Sequence, residues 1–209
     1  MQVTAKFEEK LAVSMTTGRI LNIPNILTLA RIALIPVFLL VAYWPPAMGM
    51  IDHDSSTTRH LILTAIFVVA AITDWFDGYL ARTLNQTSAF GRFLDPVADK
   101  LMVAAALIVL VQWQPTISMA FAAIVIISRE ITVSALREWM AELGARTNVA
   151  VSTVGKYKTA FQMIAISVFL LNWQPLEGLA YGLLYTAVVL TLWSMIIYLK
   201  AAWPYLKQP

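Results

Sequence analysis

Six apolar stretches, at residues 26–44, 61–80, 93–113, 117–140, 157–173 and 179–199, recur along the 209-residue chain, separated by short polar segments. Each runs about 17 to 24 residues, and none shows the strict two-residue alternation of a half-buried strand. A bilayer core about 30 Å thick is crossed by roughly 20 residues of helix rising 1.5 Å each. Only helices or closed barrels satisfy their own backbone in lipid, and stretches this long and continuous exclude a barrel. The pattern predicts an all-α integral membrane protein of six transmembrane helices. The organisation expected is a single domain over 1–209: a juxtamembrane amphipathic segment at 1–21, with Phe7, Leu11, Val13 and Met15 available to lipid, and a six-helix bundle at 22–209.

Polar residues give the bundle its orientation. Fourteen of the fifteen Lys and Arg lie in the N-terminal tail or first helix entry, in 82–100, in 129–158 or in the C-terminal tail; Arg59 is the exception. Basic residues collect on the cytoplasmic side, so both termini and the loops after helices two and four are expected there, in a bacterial inner membrane. Trp44, Trp113 and Trp173 close helices one, three and five, each followed closely by Pro45, Pro115 or Pro175. Tryptophan favours the interface, and proline readily follows a helix end.

Composition narrows the classes. The chain is 59% hydrophobic and 13% charged, against about 25% charged in soluble domains. The net charge of +3 follows the cytoplasmic bias, and no basic stretch interleaved with aromatics suggests nucleic-acid binding. With no cysteine, disulfides, thiolate catalysis and Cys-bound metals are excluded. The first residues lack the basic-then-apolar pattern of a cleaved secretion signal, so helix one is expected to stay.

The chemistry concentrates where helix two ends and helix three begins. Asp74, Asp77, Gly78, Ala81 and Arg82 precede Gly91, Asp95 and Asp99. At about 100° per residue, the first five fall within a stripe from near −60° to +80°, and the last three lie near 0°, 40° and 80°. Four carboxylates at a membrane boundary need partners, since each costs about 2.5–3.5 kcal/mol at mid-helix. Crowded together they either protonate or gather cations. Oxygen donors without His or Cys suit hard ions such as Mg²⁺ or Mn²⁺. Two glycines and an alanine on the same stripes clear room for a substrate near the backbone, and Arg82 offers a planar fork to phosphate. A cluster of solvated interfacial aspartates is the bland alternative, and it leaves the glycines unexplained.

The pattern D-x-x-D-G-x-x-A-R, eight residues, G-x-x-x-D-x-x-x-D resembles the hallmark of the CDP-alcohol phosphatidyltransferase family. All eight fixed positions are met, a coincidence on the order of 10⁻¹⁰ per starting position at average residue usage. Segments 22–31, 93–100 and 128–144 resemble the branch that uses glycerol-3-phosphate as acceptor. The resemblance implies that an alcohol attacks the β-phosphorus of CDP-diacylglycerol and CMP leaves. It implies two Mg²⁺ or Mn²⁺ ions on Asp74, Asp77, Asp95 and Asp99, with Asp99 also the base for the alcohol proton. It places CDP on Asp74, Gly78, Ala81, Arg82 and Gly91, and it implies a homodimer.

A phosphorylated acceptor requires fixed cations. Arg129 and Arg137 lie about 80° apart on helix four, Lys158 opens helix five, Arg31 enters helix one and Arg92 follows Gly91. These five are the expected phosphate ligands, against the bland reading of positive-inside bias with snorkelling to lipid headgroups. Glu130 is expected to pair with a nearby cation rather than act in catalysis. Alternatives remain: another acceptor such as inositol phosphate, serine or phosphatidylglycerol; a divalent-cation transporter; or a lipid-binding scaffold. Acidic residues confined to one side argue against a transport path.

Overall fold

The computed structural model describes residues 23–44, 55–83, 89–143 and 153–206; the segment expected to lie at the interface, 1–21, is outside it. Within these ranges the side chains at 77–83 and at 92, including Asp77, Arg82 and Arg92, also lie outside the description. The described residues form six α-helices: α1 (Ile23–Ala42), α2 (Ser55–Thr83), α3 (Ala89–Trp113), α4 (Ile117–Glu142), α5 (Thr153–Leu171) and α6 (Glu177–Leu206). A single 3-10 turn, Gln174–Leu176, precedes α6.

Local chemistry sets the ends. Pro115 interrupts the chain after α3, and Thr116 caps α4 by accepting the Met119 amide on its hydroxyl at 3.2 Å. Asn172 ends α5 at φ 51°, a left-handed value that asparagine tolerates better than most residues. The first turn of α2 (Ser55, Ser56, Thr57, Thr58) carries no apolar residue, so the hydrophobic pattern starts α2 six residues late.

The six helices share one main core, in which Phe38, Phe67, Leu107, Ile126, Ile166 and Leu184 each come from a different helix, and α4 and α6 bury a second, smaller cluster around Val133, Met140, Tyr198 and Ala202. Each helix also turns large apolar side chains outward: Leu40, Val69, Ile108, Ile124, Ile164 and Trp193 are all exposed. Apolar residues inside and outside together define a membrane protein, because water would not tolerate such a perimeter. Among the described residues, four segments are long and apolar enough to cross a bilayer: Asn25–Ala42, Thr57–Asp74, Ile117–Glu142 and Gln174–Tyr205. The apolar part of α5, Tyr157–Leu171, is shorter. The first half of α3 carries Asp95, Asp99 and Lys100, which shortens its apolar run as well.

Successive helices alternate in direction. Arg31 of α1 meets Asp74 near the end of α2, while Arg59 at the start of α2 bonds the Trp44 carbonyl just beyond α1. His60 of α2 packs edge-on against Trp113 at the end of α3, with ring centroids 4.9 Å apart. The aspartates therefore share one end of the bundle, and His60, Trp113 and Asn172 share the other. Helix α1 packs extensively on both α2 and α3, which touch each other over a shorter stretch. Gly178 and Gly182 face open space, so the G-x-x-x-G pair makes no helix contact within the described chain.

Candidate active site

One buried polar stripe organises the acidic end. Asn25, Thr28 and Arg31 recur once per turn on α1 and are fully buried, toward the helices that carry the aspartates. Thr28 donates its hydroxyl to Asp95 Oδ1 at 2.5 Å, and Arg31 donates Nη1 to Asp74 Oδ1 at 2.6 Å. The two stripes of carboxylates are thus held on the same helix, α1, rather than only across a direct α2–α3 face. Arg31, expected at the acceptor phosphate, donates to Asp74, because its turn of α1 faces α2. Gly91 is buried on α3.

Asp99 belongs to both halves of the site. It lies in electrostatic range of Asp74 and Arg31 on one side and of Glu130 and Lys158 on the other. It also lines a cavity of about 220 Å³ formed by α3, α4, α5 and α6, together with Lys100, Arg129, Glu130, Arg137, Lys158 and Gln162. Three of the five cations expected at an acceptor phosphate, Arg129, Arg137 and Lys158, therefore converge on one cavity. Four cations against two carboxylates leave this lining with two net positive charges.

Arg129, Lys158 and Lys100 are held in place, while Arg137 stands exposed at the edge. Glu130 Oε1 accepts from Arg129 Nη1 at 3.1 Å and from Lys158 Nζ, so it pairs with cations as its sequence position suggested. Arg129 also donates Nη2 to Ser194 Oγ at 2.8 Å, and its guanidinium carbon lies 5.6 Å from the centre of the Tyr198 ring. Lys100 donates to Ser134 Oγ, which itself donates to the Glu130 carbonyl at 2.7 Å. Arg129 and Lys158 are 7% and 3% exposed, so their charges act in a medium that screens them far less than water does. Snorkelling to lipid headgroups does not describe cations this deeply enclosed. Thr28, Ser194 and Tyr198 escaped the sequence reading, although each is a polar group within an apolar helix, the sign of an inward-facing site.

The described carboxylates offer oxygen donors only, the set that suits a hard divalent ion. Among the described residues no three His, Cys, Asp or Glu converge as a metal cradle; the Asp77 side chain lies outside them. Asp74 and Asp95 each use Oδ1 toward α1, which orients the carboxylate as an outer-sphere partner does for a metal ligand. This donor set fits a divalent cation.

An acidic helix end joined through one aspartate to a basic cavity, in a lipid-facing bundle, is the equipment of an enzyme acting on a membrane-bound phosphate ester. The sequence profile of the CDP-alcohol phosphatidyltransferase family matches residues 21–193, and the chain belongs to that family, which is generally metal-dependent. The chain is 50% identical to the CDP-diacylglycerol–glycerol-3-phosphate 3-phosphatidyltransferase of Pectobacterium atrosepticum over 90% of its own length and 98% of the relative's. It is 51% identical to the enzyme of that name from Haemophilus influenzae, covering 87% and 93% of the two chains. A Pseudomonas fluorescens relative with the same name is 49% identical over 90% and 93%.

Proposed function

We propose that this chain transfers the phosphatidyl group of CDP-diacylglycerol to sn-glycerol-3-phosphate, yielding phosphatidylglycerophosphate and CMP for phospholipid synthesis. The observation that carries the reading is the position of Asp99, shared between the acidic end and the cation-lined cavity. A phosphate monoester brings about −1.5 to −2 charges at neutral pH, which matches the two positive charges of the lining. A neutral alcohol such as serine's side chain would leave those charges unanswered. A cavity of about 220 Å³ suits a small phosphorylated acceptor.

Asp74, Asp77, Asp95 and Asp99 would hold Mg²⁺ or Mn²⁺, which when bound neutralises the pyrophosphate and the departing phosphate. Gly78, Ala81, Arg82 and Gly91 flank the nucleotide. Arg129, Arg137 and Lys158 orient the acceptor phosphate, which leaves its hydroxyl directed toward Asp99. The hydroxyl oxygen forms a bond to the β-phosphorus, its proton passes to the Asp99 carboxylate, and the bond from that phosphorus to the CMP oxygen breaks. Six transmembrane spans with both termini in the cytoplasm put this site where soluble glycerol-3-phosphate reaches it, in a bacterial inner membrane. The Lys and Arg asymmetry of the connections supports that orientation.

Purified protein in lipid, given CDP-diacylglycerol and a panel of acceptors, tests the reading. CMP release is expected with glycerol-3-phosphate plus Mg²⁺ or Mn²⁺, and background only after chelation or with serine. Turnover with serine and none with glycerol-3-phosphate would refute the assigned acceptor.

Thr28→Val removes the hydroxyl from Asp95 while keeping the shape. Loss of such an outer partner typically weakens metal affinity 10–100-fold, so the Mn²⁺ needed for half-maximal turnover rises about tenfold. Direct Mn²⁺ titration by electron paramagnetic resonance checks the same shift without turnover. An unchanged Mn²⁺ affinity would leave Thr28 a packing residue.

A further inference from the structure

One group in the cavity has no use in the scheme above. Gln162 stands one turn beyond Lys158 on α5, is 3% exposed and lines the cavity that contains Asp99. Its Oε1 has no hydrogen-bond partner among the described residues. A buried acceptor left unpaired bears the full desolvation of that oxygen, and beside a polar cavity its partner is water or a ligand that displaces water. What arrives must be a donor. The oxygens of a phosphate dianion are themselves acceptors, so Oε1 does not serve the phosphate, which has Arg129, Arg137 and Lys158.

Resting on glycerol-3-phosphate as the acceptor, we infer that Gln162 is a specificity-determining residue: its amide oxygen accepts a hydrogen bond from the acceptor's second hydroxyl, the one that does not attack phosphorus. Three points then hold the small molecule, with the phosphate on the cations, the attacking hydroxyl at Asp99 and the middle hydroxyl at Gln162. Two points allow rotation about the line between them, whereas three fix which hydroxyl reaches the β-phosphorus. Binding sites that read a hydroxyl reject the analogue lacking it far better than apolar pockets discriminate by size.

The test compares glycerol-3-phosphate with 3-hydroxypropyl phosphate, which lacks only the middle hydroxyl, by kcat/KM. The unmodified enzyme prefers the hydroxylated acceptor by roughly 30-fold, the factor for one lost hydrogen bond that leaves its partner buried. Gln162→Met, of similar volume, brings the two acceptors within about threefold, through loss on glycerol-3-phosphate with little change on the analogue. A preference that survives in the Met variant, or an equal fall on both acceptors, overturns the inference while leaving the proposed reaction standing. No turnover of glycerol-3-phosphate by the unmodified enzyme overturns both. Should the Met variant fail to fold, Gln162→Glu decides: it retains acceptor oxygens, so a kept preference supports the role and a lost one ends it.

Discussion

Asp99→Asn lowers turnover by about a thousandfold, within the 10²–10⁴ range that a positioned acid or base contributes, while CMP still binds with near-normal affinity. Asparagine keeps the shape of the side chain but removes the charge and the basic oxygen. Asp99 is the residue in electrostatic contact with both Asp74 and Glu130, so its loss uncouples the acidic end from the acceptor cavity. Of the nucleotide's assigned contacts, Gly91 lies about two turns before Asp99 on α3, and Asp74, Gly78, Ala81 and Arg82 belong to α2, so the assignment predicts that CMP binding survives the change. Single-turnover CMP release together with equilibrium binding of labelled CMP separates the two effects. Near-normal turnover in this variant would remove the assigned base.

The second large effect belongs to Lys158. Its ammonium group is buried against Glu130 in the cavity wall, and a charged hydrogen bond there is worth about 1.5–3 kcal/mol. Lys158→Met therefore raises KM for glycerol-3-phosphate about 10–100-fold, with a smaller change in kcat. The same substitution leaves Glu130 with Arg129 as its remaining partner within hydrogen-bonding reach, which lowers stability because half of a buried pair is costly. Glu130→Gln combined with Lys158→Met removes both charges, so thermal stability recovers while KM stays high. Recovery of KM together with stability would show that Lys158 is only a strut.

Much of the fold was legible because lipid forces a simple code. Apolar runs at 93–113 and 117–140 match α3 and α4 to within four residues, since the membrane leaves a long apolar segment few options besides a helix. The ends were less visible. The Ser and Thr residues that open α2 look like a loop by hydropathy, and the left-handed Asn172 stops α5 two residues before the apolar run ends. The acidic motif was plain from spacing alone. Its neighbours were not, because a helical wheel gives the face on which a residue lies but not the helix across from it. Arg31 shows the consequence: a cation near a membrane surface suits phosphate equally well until α1 is seen to lie against Asp74. The repeat Asn25, Thr28, Arg31 was nonetheless readable as a three-residue period of polar groups inside an apolar run, the pattern of an inward face. Gln162 carried the same sign one turn after Lys158.

The common feature is division of labour around α3. Asp95 turns to α1 through Thr28, whereas Asp99 and Lys100 turn to the cavity and to Ser134 of α4. In the proposed reaction, donor and acceptor then meet on either side of Asp99, so that the alcohol reaches phosphorus without a covalent stop on the enzyme. A CDP-diacylglycerol made with sulfur replacing one β-phosphate oxygen, in a single configuration, records that path. Direct displacement inverts the phosphorus in the phosphatidylglycerophosphate product, and inversion is the predicted result. Retention of configuration would mean two successive displacements through a phosphatidyl-enzyme, and would contradict the proposal that both substrates meet directly at Asp99.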